Sequence, residues 1–412
     1  MQITIKIKGL LKIAIVFAVV IPCVLYGLFM SYRSVSYRIK KYQEDKYSKI
    51  FDYKFTTDDP SQKGYILTTS SVPSAKLIIM DLAGHVIFKQ GVNGEVCDFR
   101  QWHINGHTLY SYAVSDTNKN TRAIAGSTGH FVILDSSLHE IRQVHLLPFN
   151  DITTDKKQDL DVHDFIMLGD DHFMVMTAYT KSVDNIPTCL FPSPNIKVAA
   201  VIVEEIKNDS VVWQWDATRF PEFYLNSQML NKFYDTTAVQ DYVHINAMVI
   251  DPHDSNLILS FRNENQLVKI NRHTGDIMWR LGGKNSDFPL TADQQFMGQH
   301  NPTFIENQKL LLFDNGVYAI RPYSRVVEFQ LDEQNKKIIS FKAWKIPEEF
   351  SNTKGSVQKI GEDYFVCGGS GKYLLRANSI TGTKKMEILT NQMTLYRAYL
   401  VNDIKGIQLN QK

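Results

Sequence analysis

The sequence predicts an all-β protein, a six-bladed β-propeller carrying an N-terminal transmembrane helix. Three observations carry that prediction: an uncharged apolar run near the N-terminus, short β-branched and aromatic runs from Gly64 onward, and a unit of such runs that recurs along the chain.

The apolar run extends from Ile13 to Met30 without a charge. As a helix rising about 1.5 Å per residue it covers about 27 Å, enough to span the hydrocarbon of a bilayer. No small-x-small cleavage site precedes Tyr32, so the run reads as an uncleaved signal anchor. The VIP ahead of Cys23 does not match a lipoprotein box. Lys6, Lys8 and Lys12 precede the span while Arg33, Arg38, Lys40 and Lys41 lie beyond it, so charge alone does not favour export of the downstream domain. Residues 1–31 are read as a cytoplasmic stub and anchor, 32–60 as a charged, tyrosine-rich juxtamembrane stalk, and 61–412 as the propeller.

Beyond Gly64 the hydrophobic runs are separated by Gly, Asn and Asp turns, and no long stretch keeps a 3.6-residue period. The clearest copy of the repeat runs from His244 to Gly283, where AMVIDPHDSNLILSFR is one hairpin and NQLVKINRHTGDIMWRL the next. Two hairpins make a four-stranded blade. Further copies run from Asp161 to Asp216, from His300 to Trp344 and from Gly355 to Ile388, and two more precede Asp161, the first with LIIMDLAGHVIFKQ from Leu77. YRAYLV at Tyr396 is left over and supplies a strand that closes the ring. An open β-sandwich or several small β domains is the alternative, but the D/N-x-x-T/S-G turns between outer strands argue for radial stacking.

Composition limits function. The 412 residues are 44% hydrophobic and 21% charged, as expected of a folded globular chain. The net charge is +2 and the basic residues are dispersed, which argues against a nucleic-acid partner. The four cysteines form no CxxC pair, so a thiolate zinc site is disfavoured, and at most one disulfide fits downstream of Cys23.

Aligning the repeats by their first hairpin places His163, His244 and His300 near one register of three successive units, ahead of the innermost strand, so the three imidazoles converge on the central channel. Arg262 ends the second strand of the His244 hairpin and falls beside that histidine, while Asp314 and Asn315 fall beside His300. A single histidine in a β protein is more often a turn or core residue, but three in one register with an arginine suit a tetrahedral oxyanion. The guanidinium offers a planar fork of donors and the imidazoles donate to the remaining oxygens. Cations crowded around one imidazole also keep it unprotonated. Asp241 reads as a turn residue, His253 and His273 as solvent-facing, and Trp213, Trp279 and Trp344 as packing between blades.

At these residues the sequence resembles the arylsulfate sulfotransferase family. DVHDFIML at Asp161, DYVHINAM at Asp241, LILSFRNENQLVKINRHTGDIMWRLGG from Leu257, GQHNPTF at Gly298, LLFDNG from Leu311 and SRVVEF from Ser324 carry the likeness, mostly between Asp161 and Gly371. The resemblance implies a six-bladed propeller, export to the periplasmic side of a bacterial inner membrane, and transfer of a sulfuryl group from an aryl sulfate donor to a phenolic acceptor, with no nucleotide cofactor and no metal. It further implies that His300 becomes transiently sulfated, that His244, Arg262 and His163 hold the sulfate oxygens, and that Asn246, Asn315 and Asp314 support substrate binding. The segments Thr180 to Pro194 and Phe220 to Tyr234 are expected to shape the pocket. Read without the resemblance, the same residues leave open a metal-dependent propeller hydrolase or lyase with histidine ligands, or a non-catalytic anion-binding propeller.

Overall fold

A computed structural model describes residues 52–54, 64–71, 74–115, 128–153, 159–348, 350–390, 395–404 and 406–407, and structural statements refer to these. The expected anchor at 13–30 lies outside them, and among the described residues no helix is long and apolar enough to cross a membrane.

Six antiparallel sheets succeed one another along the chain. A short strand, β1 (Asp52–Lys54), comes first. Blade 1 contains β2 (Tyr65–Ser70), β3 (Lys76–Asp81) and β4 (Val86–Gly91). Blade 2 contains β5 (Glu95–Ile104), β6 (His107–Ser115), β7 (Thr128–Leu134) and β8 (Glu140–Val144), with β9 (Leu160–Asp161) added along β7. Blade 3 contains β10 (Ile166–Gly169), β11 (His172–Val183), β12 (Ile196–Lys207) and β13 (Ser210–Asp216). Blade 4 contains β14 (Ile245–Ile250), β15 (Leu257–Phe261), β16 (Gln266–Ile270) and β17 (Ile277–Gly282). Blade 5 contains β18 (His300–Ile305), β19 (Lys309–Asp314), β20 (Arg325–Asp332) and β21 (Lys337–Lys345). Blade 6 contains β22 (Ser356–Ile360), β23 (Asp363–Cys367), β24 (Tyr373–Asn378) and β25 (Lys384–Leu389). The last strand, β26 (Ala398–Val401), returns to blade 1 and pairs with β2, Tyr65 opposite Val401 and Thr68 opposite Ala398. The molecule is thus a six-bladed propeller whose C-terminal strand closes the ring, as the sequence predicts.

Blade stacking explains the sequence pattern. Middle strands such as β15 (LILSF) and β23 (DYFVC) are buried along their whole length because both faces meet a neighbouring blade. The outer strand β21 (KIISFKAWK) mixes exposed and half-buried positions because its edge meets solvent. Apolar clusters join successive blades: Ile258, Leu267 and Trp279 of blade 4 pack with Leu310, Val327 and Phe329 of blade 5. Trp279 is fully buried there, in the packing role expected of it.

One expectation changes. The segment read as a stalk contributes β1, which pairs with β25 as the fifth strand of blade 6, so the propeller begins before residue 61. Its hydrogen-bonding groups are satisfied along a sheet edge, which a free stalk would leave to water. The cysteines outside the N-terminal segment, Cys97, Cys189 and Cys367, are free thiols.

Candidate functional site

A cavity of about 590 Å³ is lined by His163, His244, His300, Arg262 and Asn246, together with Thr69, Ser71, Glu95, Cys97, Lys354 and Tyr396. The His163 and His244 rings meet edge-on at 5.3 Å between centroids, and Tyr396 lies 6.1 Å from His163 and 5.5 Å from His300. Three histidines and an arginine drawn from successive repeats therefore share one cavity.

His300 opens β18 and is 3% exposed. Its Nδ1 lies 2.8 Å from the carbonyl oxygen of Gly355. A carbonyl only accepts, so Nδ1 carries the proton and Nε2 carries the lone pair. Gly355 adopts φ +97°, and a Cβ there would lie 2.5 Å from the Phe313 ring, so only glycine brings this carbonyl so close. Burial pushes the His300 pKa well below the usual imidazole value. The charges of Arg397, His163 and Arg262 push the same way, against the bond to Gly355. The imidazole is neutral at neutral pH, with burial rather than cation crowding as the larger cause.

The other two histidines are held by carboxylates. Asp161 contacts Nδ1 of His163 and also accepts its backbone N–H at 2.9 Å. Asp241 Oδ2 lies 2.7 Å from Nδ1 of His244. A carboxylate at Nδ1 orients the ring and leaves Nε2 to face a ligand, as donor in the imidazolium and acceptor in the neutral ring. Asp241, read as a turn residue, thus has a partner at the site. The short spacings Asp161-Val-His163 and Asp241-Tyr-Val-His244 are the sequence signal for both contacts. His244 adopts φ +53° and Lys354 φ +65°, left-handed conformations uncommon for residues other than glycine.

Arg262 comes directly after β15, and its backbone N–H donates to the His244 carbonyl at 2.9 Å, which fixes the neighbourhood that strand pairing implies. Its guanidinium reaches only Asn263 Oδ1, at 3.3 Å. Among the described residues no carboxylate lies within ion-pair distance of it. Burial draws its pKa below the usual value, opposed by the more distant Asp241. A half-buried cation without a counter-ion, lining a cavity, awaits an anion.

Asn246 is buried on β14 and donates from Nδ2 to the Gln299 carbonyl at 2.7 Å, tying the residue before His300 in place, while its Oδ1 has no protein partner. Asp314 and Asn315, expected to support substrate binding, do not line the cavity. Asp314 is fully buried between Arg321 and Arg325, with Oδ2 2.7 Å from Arg325 Nε, and accepts the Met297 N–H. Asn315 donates to the carbonyls of Ser351 and Lys354 at 2.8 and 2.9 Å, holding the loop that presents Lys354. The segments 180–194 and 220–234 do not line the cavity either. They bond to each other, Ser193 N–H donating to the Phe233 carbonyl at 3.0 Å.

Below the cavity lies a buried charge network that no sequence pattern announces. Arg397, fully buried, contacts Asp98 at 3.4 Å and Asp164 at 3.1 Å and donates to the Asn246 carbonyl at 3.0 Å. Arg100 joins the same two carboxylates, and the Tyr399 hydroxyl donates to Asp98 at 2.6 Å. Two arginines thus face two aspartates. Burial raises the Asp164 pKa, but Arg397, Arg100 and the Met248 N–H outweigh it and hold the carboxyl below its usual value.

A family model of the arylsulfotransferases (ASST) matches residues 39–400. The chain belongs to this family. The match spans the whole propeller and carries aryl sulfotransferase activity as the general function. A search of curated proteins finds no match. Solved structures similar to this arylsulfotransferase include a protein of unknown function from Bacteroides caccae, 9% identical with a TM-score of 0.48, covering 83% of this chain and 100% of that one. The periplasmic gluconolactonase of Pseudomonas aeruginosa is 11% identical with a TM-score of 0.43, over 82% of this chain and 99% of that one. A catalytically inactive virginiamycin B lyase from Staphylococcus aureus is 9% identical with a TM-score of 0.39, over 85% and 99%.

Proposed function

We propose that this arylsulfotransferase moves a sulfuryl group from an aryl sulfate to a phenolic acceptor through a sulfated His300, without a nucleotide sulfate donor. The observation that carries the reading is the pairing, in one cavity, of a neutral imidazole having its Nε2 lone pair available with a guanidinium that lacks a counter-ion. The Nε2 pair attacks sulfur, the bond from sulfur to the aryl oxygen breaks, and its electrons leave on the phenolate. The acceptor hydroxyl then attacks sulfur, the N–S bond breaks, and the pair returns to Nε2. Charge spreads over three equatorial sulfuryl oxygens in each step, where Arg262 and the Nε2–H groups of His163 and His244 donate. Because both of these histidines back onto a carboxylate, either imidazolium can give a proton to the departing phenolate and, once neutral, take one from the acceptor.

The test is phenol release from a chromogenic aryl sulfate by the full-length chain, with and without added phenol. Acceptor-dependent release with ping-pong kinetics is expected; rates indifferent to acceptor would overturn the reading.

Arg262 supplies a second prediction. Arg262→Ala is expected to lower kcat by about 10²- to 10³-fold, the usual effect of removing one donor to transition-state charge. The melting temperature should stay the same or rise, because the guanidinium has no carboxylate to lose. Arg262→Lys should recover only part of the rate, since an ammonium cannot donate as a fork. A large drop in melting temperature with unchanged kcat would assign Arg262 to the fold instead.

The uncharged run from Ile13 to Met30 supports a single-pass anchor in a bacterial inner membrane, with the propeller on the periplasmic side. The full chain is expected in the membrane fraction after alkaline carbonate extraction, and a chain lacking residues 1–31 in the soluble fraction. Equal partition of both would remove the anchor.

A further inference from the structure

Outside the central cavity, three segments of blade 2 meet at the start of β7. The outer edge of β7 is shared in succession by two strands: β8 pairs Val144 with Phe131, and β9 pairs Leu160 with Gly129. His130 stands on β7 between these pairings, His145 comes directly after Val144, and Asp159 directly precedes Leu160. None of the three lines the cavity.

Their donor atoms converge. His145 Nδ1 lies 2.7 Å from Asp159 Oδ2, the His130 and His145 ring centroids are 4.7 Å apart, and one donor atom from each of the three residues lies within 4.8 Å of the other two. Asp159 has a structural duty as well, since its Oδ1 accepts the backbone N–H groups of Leu146 at 2.8 Å and Leu160 at 2.9 Å. That duty occupies one carboxylate oxygen and turns the other toward the imidazoles. A tetrahedral zinc ion with bonds of about 2.0–2.1 Å sets its ligand atoms about 3.4 Å apart and two ligating imidazole centroids about 5 Å apart. The two rings are stacked with 26° between their planes, so ligation turns the imidazoles until both nitrogens face the ion.

We propose that His130, His145 and Asp159 form a binding site for a zinc-class divalent cation. Two imidazole nitrogens and one carboxylate oxygen suit zinc and its borderline-soft neighbours, whereas magnesium and calcium take oxygen ligands. The ion ties β7, the end of β8 and the start of β9 together. It sits two residues before Asp161, the carboxylate that orients His163. Solvent supplies the fourth ligand, and the site acts as a clasp across the edge of blade 2. It is independent of the sulfuryl-transfer reading.

The test is titration of the chelator-treated full-length chain in detergent with zinc, followed by calorimetry, and with cobalt, followed by its visible absorption. One equivalent per chain and a zinc-dependent rise in melting temperature are expected. His130→Ala and His145→Ala should each weaken binding at least about tenfold. Asp159→Asn keeps an oxygen for the two backbone N–H groups, so it should weaken binding while leaving the metal-free melting temperature unchanged. Absence of saturable binding, or binding unaffected by both histidine substitutions, overturns the proposal. So does binding that is lost instead in His163→Ala, since that places the ion in the central cavity.

Discussion

Alanine in place of His300 is expected to lower turnover of a chromogenic aryl sulfate by about 10⁴-fold or more, because the substitution removes the atom that accepts the sulfuryl group in the proposed mechanism. His163 and His244 cannot replace it. Each has Nδ1 committed to a carboxylate, whereas the His300 Nδ1 meets a backbone carbonyl, so in the proposed mechanism the two serve as donors. The fold should survive, since the His300 side chain gives up one hydrogen bond, to the Gly355 carbonyl, worth about 1 kcal/mol. Two measurements keep the prediction sharp. Stopped during turnover, the wild-type chain should gain the mass of one sulfuryl group on the peptide containing His300, and the variant should gain none. A variant that releases phenol at the wild-type rate, or a mass gain on another residue, removes His300 from the role of nucleophile.

Removing Arg397 is expected to give the largest loss of stability at the site. Arg397→Met leaves Asp98 and Asp164 buried with only Arg100 between them, and stranding one partner of a buried ion pair costs about 3–5 kcal/mol. In a domain of this size that lowers the melting temperature by on the order of 10 °C. A second readout separates position from mere stability. In the proposed mechanism His300 attacks only when unprotonated, so kcat/KM is expected to fall as pH drops through its pKa, which lies well below the ordinary imidazole value near 6.5. The Arg397 charge is, after burial, the next cause of that depression. In Arg397→Met the acid limb should therefore move up in pH. In Arg397→Lys it should stay nearly where it is, because a cation remains. A lower melting temperature with an unmoved acid limb would make Arg397 a structural residue only.

Local pattern made much of the architecture legible. Gly, Asn and Asp turns between buried runs set the strands, their recurrence set the blades, and YRAYLV, without a partner in its own repeat, was recognisable as the closing strand. The same register placed His163, His244 and His300 ahead of inner strands, and hairpin pairing placed Arg262 beside His244. For Asp314 and Asn315 strand pairing gives proximity along a ladder but not the direction in which a side chain leaves it. Asp314 leaves toward Arg321 and Arg325.

The sequence by itself determined a propeller of six repeats, its closing strand, and three histidines and an arginine in corresponding positions. Tertiary structure alone decided the electrostatics among them. Gly355 selects the His300 tautomer from 55 positions away, and Arg397 reaches Asp98 and Asp164 across 299 and 233 positions. The physical reason is ring closure: a repeat encodes contacts within and between neighbouring blades, while the floor of the central cavity forms only when the two ends of the chain meet. Whether a cation at the cavity is paired with carboxylates, as Arg397 is, or stands without one within ion-pair distance, as Arg262 does among the described residues, depends on groups that no local pattern brings together.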